Sequence, residues 1–399
     1  MLGRSILISI VQVPAARTPR DAQRPMQQLL AQLGFKPSSR KVFIKPNMVD
    51  ATAPIEAVDT DPALVGGLVL ALKERGADEF IIGDGTGYFN EEKNWLRLLD
   101  DSGYKAMVDE LEKNHGIHVH LMNLETVPRE DFPWKYGTIK LPSLCKTHAY
   151  INFAKMKTHV HTQVTLTCKN QKGLLLLADK KAFHLAKKYG NLHENIKELA
   201  RTVRPELAIV DATRALEGTG PTTAPAGQTK VRRLKMCIGG TDMIEVDNAA
   251  CQIMGIPVES VLHLSKVPVT IAPGSEPLVP AVPPFARPNP AIMATENFFV
   301  HMSETCCTGC QMSRSRMFRK IAFVPEINQR FNSFRNRHGR IDFVMGAMTD
   351  ENIEKIHSHG GLLVFFGNCT KKMAEKRGSM HVPGCPPDHN DAINGLIGK

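Results

Sequence analysis

The chain has 399 residues, 42% hydrophobic and 23% charged, with nine cysteines and a formal net charge of +10. That length suits two or three globular domains with their own cores. No run approaches the roughly 18 apolar residues of a membrane helix, and MLGRSILISIVQV, interrupted by Ser and Gln with no clean cleavage site, does not read as a secretory leader.

Six per cent aromatic content and no RNA or DNA motif leave no platform for stacked bases. Nine cysteines without a leader suggest reduced thiols, a bound metal and a cytoplasmic setting.

From Ser5 to about Ser265, short apolar runs alternate with helical patterns, the pattern of an α/β domain with a central sheet, here assigned to residues 1–266. Val42 to Asn47 (VFIKPN) predicts a strand running into a loop. Asp61-Pro62 caps and opens a helix through about Arg75, which Gly76 ends. Glu79 to Gly87 (EFIIGDGTG) predicts a strand and a glycine-rich loop, but GDGTG is not GxGxxG and no P-loop is present, so nucleotide binding has no motif behind it. An amphipathic stretch, Trp95 to His115, leads to the strand HVHLMNL. Ala149 to His159 and Glu206 to Ala212 predict further strands, and KMCIGG with DMIEVDNAACQIMG predicts a last strand and helix.

The polar residues of this body gather at predicted strand ends: Lys45-Pro46-Asn47, Asp84, Lys155 to His159, Thr165 to Gly173, Asp211, Glu217-Gly218 and Gly240-Thr241-Asp242. Lys155 and Lys157 alternate with Met156, so both face one side of the strand and His159 joins them. With Lys45, Lys169 and Lys172 they suit a carboxylate or phosphate. Asp84, Asp211 and Asp242 would pair with these lysines or bind Mg²⁺ through oxygen, and surface salt bridges and helix caps are the plainer alternative. His161, His184 and His193 are too loosely spaced for a metal site. The element Lys155-x-Lys157-Thr158-His159 with Thr165-Leu166-x-x-Lys169-Asn170, backed by Ile44-Lys45-Pro46-Asn47 and Gly240-Thr241-Asp242, resembles the DUF362 family over about Val42 to Leu264. That resemblance implies an α/β fold with a site at these loops, not a reaction. The residues themselves suggest Lys157, His159 and Lys169 as candidate catalytic groups, and Lys45, Asn47, Asp84, Lys155, Asn170, Asp211 and Asp242 around a small anionic substrate.

Residues 267–296 are proline-rich (VPAVPPFARPNP) and read as an extended interdomain linker. Beyond them FFVHM, IDFVMG and GLLVFFG predict three strands of a small flavodoxin-like, doubly wound domain over 297–399. Arg314, Arg316, Arg319, Lys320, Arg330, Arg335, Arg337 and Arg340 form a basic stretch, either a solvated face or a surface for an acidic partner.

Three cysteines fall within five positions, Cys306, Cys307 and Cys310, answered by Gly367-Asn368-Cys369 and Gly384-Cys385-Pro386. Four converging thiolates, with glycines that let backbone N–H groups turn toward sulfur, suit a 4Fe-4S cluster. Zinc accepts the same four residues, and disulfides would use them in an oxidising compartment. The order CTGC, GNC, PGCPP resembles the small subunit of nickel-iron hydrogenases, and tandem Cys306-Cys307 resembles the cluster-bearing subunit of respiratory complex I. The resemblance implies Cys307, Cys310, Cys369 and Cys385 as ligands, with Cys306 as the alternative fifth thiol. It departs from the ferredoxin run C-x₂-C-x₂-C-x₃-C. Two functions follow: an iron-sulfur redox protein serving an anionic substrate or cofactor with an electron donor or acceptor protein, or a non-redox binding or maturation protein with a structural metal.

Overall fold

A computed structural model of the protein describes residues 7–14, 16–85, 92–185, 188–223, 229–288, 297–303 and 306–398, without the side chains of 92, 93, 319 and 323. It divides into two compact units, residues 1–181 with 193–288, and residues 182–192 with 289–399. The α/β class expected from the sequence is what both units show.

The strands of the larger unit are β1 (Ile8–Gln12), β2 (Lys41–Pro46), β3 (Glu79–Asp84), β4 (Val119–Asn123), β5 (Arg129–Trp134), β6 (Gly137–Pro142), β7 (Ala149–His159), β8 (Gln163–Thr165), β9 (Leu207–Gly218), β10 (Thr229–Arg232) and β11 (Met236–Gly240). The main sheet runs β1-β11-β9-β7-β2-β3-β4, with β10 on β9 and β8 on β7. From β9 to β4 its neighbours are parallel, while β11 runs antiparallel to both β9 and β1. Parallel strands are covered on both faces and therefore read as nearly unbroken apolar runs; β7 is buried at every position.

Local chemistry sets the helices. Asp61 caps the helix Pro62–Lys73 by accepting from the Ala63 amide at 3.1 Å, and Pro62 occupies its first turn. The helix is buried throughout except at Lys73. A Cβ on Gly66 or Gly67 would come within 2.7 Å of Pro19 or 2.6 Å of Ala22, so these glycines let the helix Pro19–Gln32 lie against it. The amphipathic stretch is two helices, Glu92–Asp101 and Tyr104–His115, parted at Gly103 with φ +82°. The β5-β6 hairpin is a two-stranded sheet of its own that no sequence pattern announced.

The proline-rich stretch is not a free spacer. Ala272, Glu276, Ala281 and Phe285 donate backbone hydrogen bonds to Ile8, Ile10, Ile253 and Met254, and Gly218 donates to Ala286. Proline lacks an N–H, but the residues between prolines keep theirs. Residues 267–288 therefore belong to the larger unit.

The smaller unit carries β12 (Phe298–Met302), β13 (Ile341–Met345), β14 (Leu362–Phe366) and β15 (Met380–Val382), all parallel in the order β12-β13-β14-β15. One face packs Phe298, Phe318, Phe331, Phe343 and Phe366 with the helices Thr308–Phe323, Pro325–His338 and His389–Ile397. The other packs Val344 and Phe365 against Ile353 and Ala374 of two shorter helices. Both faces are thus covered, as in a doubly wound sheet, but the described strands lack the reversal of order that a flavodoxin-like arrangement carries. Among the described residues no helix is long and apolar enough to cross a membrane.

Candidate functional site

In the larger sheet β3 and β4 follow β2 outward in one direction, and β7 then returns to its other side. The order reverses between β2 and β7, and in open α/β sheets ligands collect at the carboxyl ends beside such a reversal. Lys45 and Asp84 lie at the carboxyl ends of β2 and β3 with Asn47 just beyond β2, Lys155 to His159 form the carboxyl half of β7, and Asp211 stands opposite Lys155 within β9.

Two of the lysines are closed into pairs. Lys45 Nζ stands 2.8 Å from Asp84 Oδ1, and Lys155 Nζ stands 2.7 Å from Asp211 Oδ2, with both ammonium groups sealed from solvent. Asp84 also accepts from the Met48 amide at 2.8 Å. Asp211 accepts from the Asp61 amide at 3.0 Å and from the amide and hydroxyl of Thr213 at 2.9 and 2.6 Å. A buried ion pair holds when such extra donors satisfy its remaining lone pairs. Asn170 joins the two lysine-bearing strands: its Oδ1 accepts from Lys45 and Asn47 at 3.0 and 3.1 Å, and its Nδ2 donates to Asn152 at 2.8 Å. Glycine is required where the loops close, because a Cβ on Gly173 would lie 1.9 Å from Asp84 Oδ1 and one on Gly85 would lie 2.2 Å from the Gly173 carbonyl.

The other cations are compensated less completely. Lys157 Nζ donates to the Val58 carbonyl at 2.5 Å. Burial pushes its ammonium down and the neighbouring Asp59 carboxyl up, while their mutual attraction opposes both shifts. His159 Nδ1 accepts from the His161 amide at 3.0 Å, and burial, then Lys169, hold the ring well below its ordinary value, so it is neutral. The Lys169 ammonium has no hydrogen bond or ion pair among the described residues, and burial followed by Lys172, Lys157 and Lys45 lowers it well below the ordinary lysine range. Burial brings Lys172 to about 7. Lys169 and Lys172 keep partial solvent exposure, so a solute reaches them more readily than it reaches Lys45 or Lys155.

Asp242 is not in this set. Its Oδ1 accepts from the Ile244 and Glu245 amides at 2.7 and 3.3 Å, capping the helix Met243–Met254, and it follows β11, which runs antiparallel to β9 with Gly240 opposite Ala208 near the amino end of β9. Thr86 and Gly87 of the glycine-rich loop lie outside the described residues. Glu217-Gly218 end β9 instead of forming a loop. Sequence reasoning missed Asp59, Asn152 and Asp247. Asp247 receives the Thr167 and Cys168 amides at 2.8 and 2.9 Å and so positions the turn bearing Lys169. The available signal was a polar residue within an apolar run: Asn152 in AYINFA and Asp247 in MIEVDNAA.

In the smaller unit Cys306 and Cys307 follow β12, Cys369 follows β14 and Cys385 follows β15, all at the carboxyl edge of the parallel sheet. Cys307 precedes the helix Thr308–Phe323, and Cys310 stands in its first turn. Cys307 makes no formal capping bond; the Cys310 thiol and the Gly309 and Cys310 amide dipoles hold it down at about 6, against a smaller upward push from burial. Cys310 is pushed up by that same thiol contact and by burial. Cys306 and Cys310 each feel Cys307 and Cys369, and Cys369 feels Cys385, so the five thiols share one neighbourhood. A Cβ on Gly367, at φ +97°, would lie 3.2 Å from Cys310 Sγ and 3.9 Å from Cys369 Sγ. Asn368 ties the two downstream loops: its amide donates to the Gly384 carbonyl at 2.8 Å and its Oδ1 accepts from the Gly384 amide at 2.7 Å. The upstream turn is braced by His184, whose carbonyl accepts from the Gly309 amide at 2.9 Å and whose Nδ1 meets Thr308 Oγ1 at 3.0 Å.

The nine cysteines are free thiols. Among the described residues no three His, Cys, Asp or Glu side chains are grouped tightly enough for a single ion. The basic stretch is partly internal: Arg330 donates to the Ile397 and Gly398 carbonyls, Arg340 pairs with Asp342 at 2.8 Å and Arg314 is buried.

The family described as a domain of unknown function, DUF362, matches residues 42–252, more than half of the sequence. The chain belongs to the DUF362 family. A similar protein is the thylakoid-associated protein sll1697 of Synechocystis sp., 24% identical over 204 residues, which are 49% of this chain and 60% of the relative. The chain thus spans less than two thirds of that relative's length. A crystal structure of a Thermotoga maritima protein from a structural genomics consortium aligns with a TM-score of 0.35 at 13% identity, over 59% of this chain and 58% of the other. The DUF362 region contains every lysine of the switch-point site, and the five clustered thiols lie beyond its end.

Proposed function

We propose that the protein is an iron-sulfur redox protein: the smaller unit holds a 4Fe-4S cluster on Cys307, Cys310, Cys369 and Cys385, and the DUF362 unit holds a small anionic substrate or cofactor at Lys157, His159, Lys169 and Lys172. The observation that carries this reading is the gathering of five thiols from three loops at one sheet edge, where the missing side chain of Gly367 leaves room beside the Cys310 and Cys369 sulfurs. The donor set fits such a group: all soft sulfur, with Cys307 already favouring the thiolate that ligation requires. A bound cluster supplies one-electron exchange. Cys306 is the thiol to spare, because its Sγ turns toward the Cys307 carbonyl at 3.8 Å. In the DUF362 unit, Lys45-Asp84 and Lys155-Asp211 hold the walls, while Lys169 and Lys172 face the anion and His159, neutral, donates through Nε2. An electron donor or acceptor protein as partner, and a cytoplasmic setting whose reducing conditions keep thiols free, belong to the same reading.

Protein purified without oxygen is expected to be brown, with about four irons and four acid-labile sulfides per chain. Cys307→Ser, Cys369→Ser and Cys385→Ser should each abolish the colour, and Cys306→Ser should retain it. Stoichiometric zinc without sulfide in the anaerobic wild type would overturn the redox reading and leave a structural metal site. A colourless Cys306→Ser with a coloured Cys310→Ser would exchange the two ligands.

A further inference from the structure

The helix Thr308–Phe323 buries Cys310, Ser313, Arg314, Met317, Phe318 and Ile321, spaced three and four apart along one face. All but Arg314 are uncharged core residues. Arg314 is 1% exposed and stands one helical turn beyond Cys310 on that face. Among the described residues its Nη1 meets only the Met302 thioether, at 3.5 Å, and its Nε has no partner. No carboxylate among the described residues pairs with Arg314: Asp342 is held by Arg340 and His301, each at 2.8 Å, and Asp350 by Lys376 and Arg377; Glu304 lies outside the described residues. The titratable group that acts on Arg314 is the Cys306 thiol.

A guanidinium stays protonated inside a protein, and a buried charge without a counter-charge is costly. Too little of Arg314 reaches solvent for it to extend its head into water, as long cations commonly do. Among the described residues no carboxylate answers that charge, and the group that acts on it is a thiol near the Cys310 end of the helix. We infer that Arg314 is the built-in counter-charge of the cysteine-held group, placed to raise the midpoint potential of a bound cluster. This rests on the cluster reading proposed above. One-electron reduction adds a negative charge to thiolates and cluster together, and a desolvated cation nearby stabilises the reduced form more than the oxidised one.

The experiment is a redox titration, followed by electron paramagnetic resonance, of anaerobic full-length wild type, Arg314→Met and Arg314→Lys. Arg314→Met is expected to keep its iron and sulfide with a midpoint potential more negative than wild type, and Arg314→Lys to recover most of the difference. A structural role alone would lower stability without this ordering of potentials. If Arg314→Met does not fold, Arg314→Gln, which keeps hydrogen-bonding capacity without charge, carries the same expectation. An iron-loaded neutral variant at the wild-type potential overturns the counter-charge and leaves the cluster reading intact. A wild type without iron and sulfide overturns both.

Discussion

In the DUF362 unit, Lys45 and Lys155 are sealed from water with Asp84 and Asp211 at 2.8 and 2.7 Å, whereas in the smaller unit Arg314 is sealed with a thioether at 3.5 Å. The first site supplies much of its own compensating charge and leaves a limited excess on Lys169. The second gathers thiols and a cation without any carboxylate pairing that cation among the described residues. Internal pairs make a rigid wall, and incomplete pairing marks where an outside group belongs.

The strongest way to break this contrast is to unpair a wall. Asp211→Ala strands the Lys155 ammonium and removes the acceptor of the Asp61 and Thr213 amides, so it should cost about 3–5 kcal/mol in urea unfolding. The double change Lys155→Met with Asp211→Leu should lose far less, since neither residue then leaves a buried charge unpaired. A single change within about 0.5 kcal/mol of wild type, the range of ordinary surface substitutions, would mean the pair is not what holds these strand ends.

A smaller effect sharpens the excess. Sulfate, whose charge is constant over the range used, should bind the DUF362 unit, and Lys169→Ala should weaken it about tenfold, roughly 1.4 kcal/mol, in titration calorimetry without altering the unfolding midpoint downward. Lys172 adds a pH dependence of opposite sign in two measurements. Its folded value of about 7 lies below the ordinary 10.5, so between these values the unfolded chain binds more protons and stability rises with pH. Over the same window the folded ammonium is lost, and sulfate affinity falls. Lys172→Met should flatten both slopes, and an affinity that rises with pH would exclude lysine as the anion's partner.

The smallest effect tests the exclusion of Asp242 from the site. Asp242→Ala should cost about 1 kcal/mol as a lost helix cap and leave sulfate affinity unchanged. Weakened binding at unchanged stability would return Asp242 to the anion site.

The strand-end lysines were legible because alternation along KMKTH forces Lys155 and Lys157 to one side of β7, and because IKPN and GDG each end an apolar run. Asp242 was misread, since an acid after Gly-Thr looks the same before a helix whether it caps the helix or meets a ligand. Arg314 was read with a solvated basic stretch because neighbouring arginines hide the three-and-four spacing that buries it. The linker was misplaced because proline content reports missing donors, not where the remaining donors go.

The sequence by itself determined the α/β class, the places where strands hand over to loops, the supply of lysine, aspartate and cysteine at those places, and family membership, because periodicity, turn residues and motif order are properties of neighbouring positions. Only the tertiary structure decided which charge meets which. Asp211 is far from Lys155 in the chain and 2.7 Å from it in space, Asp59 comes beside Lys157, and Arg314 turns inward with no carboxylate pairing it among the described residues. Those outcomes depend on the order in which strands are laid side by side and on the depth at which each side chain loses water, and neither is written in local sequence.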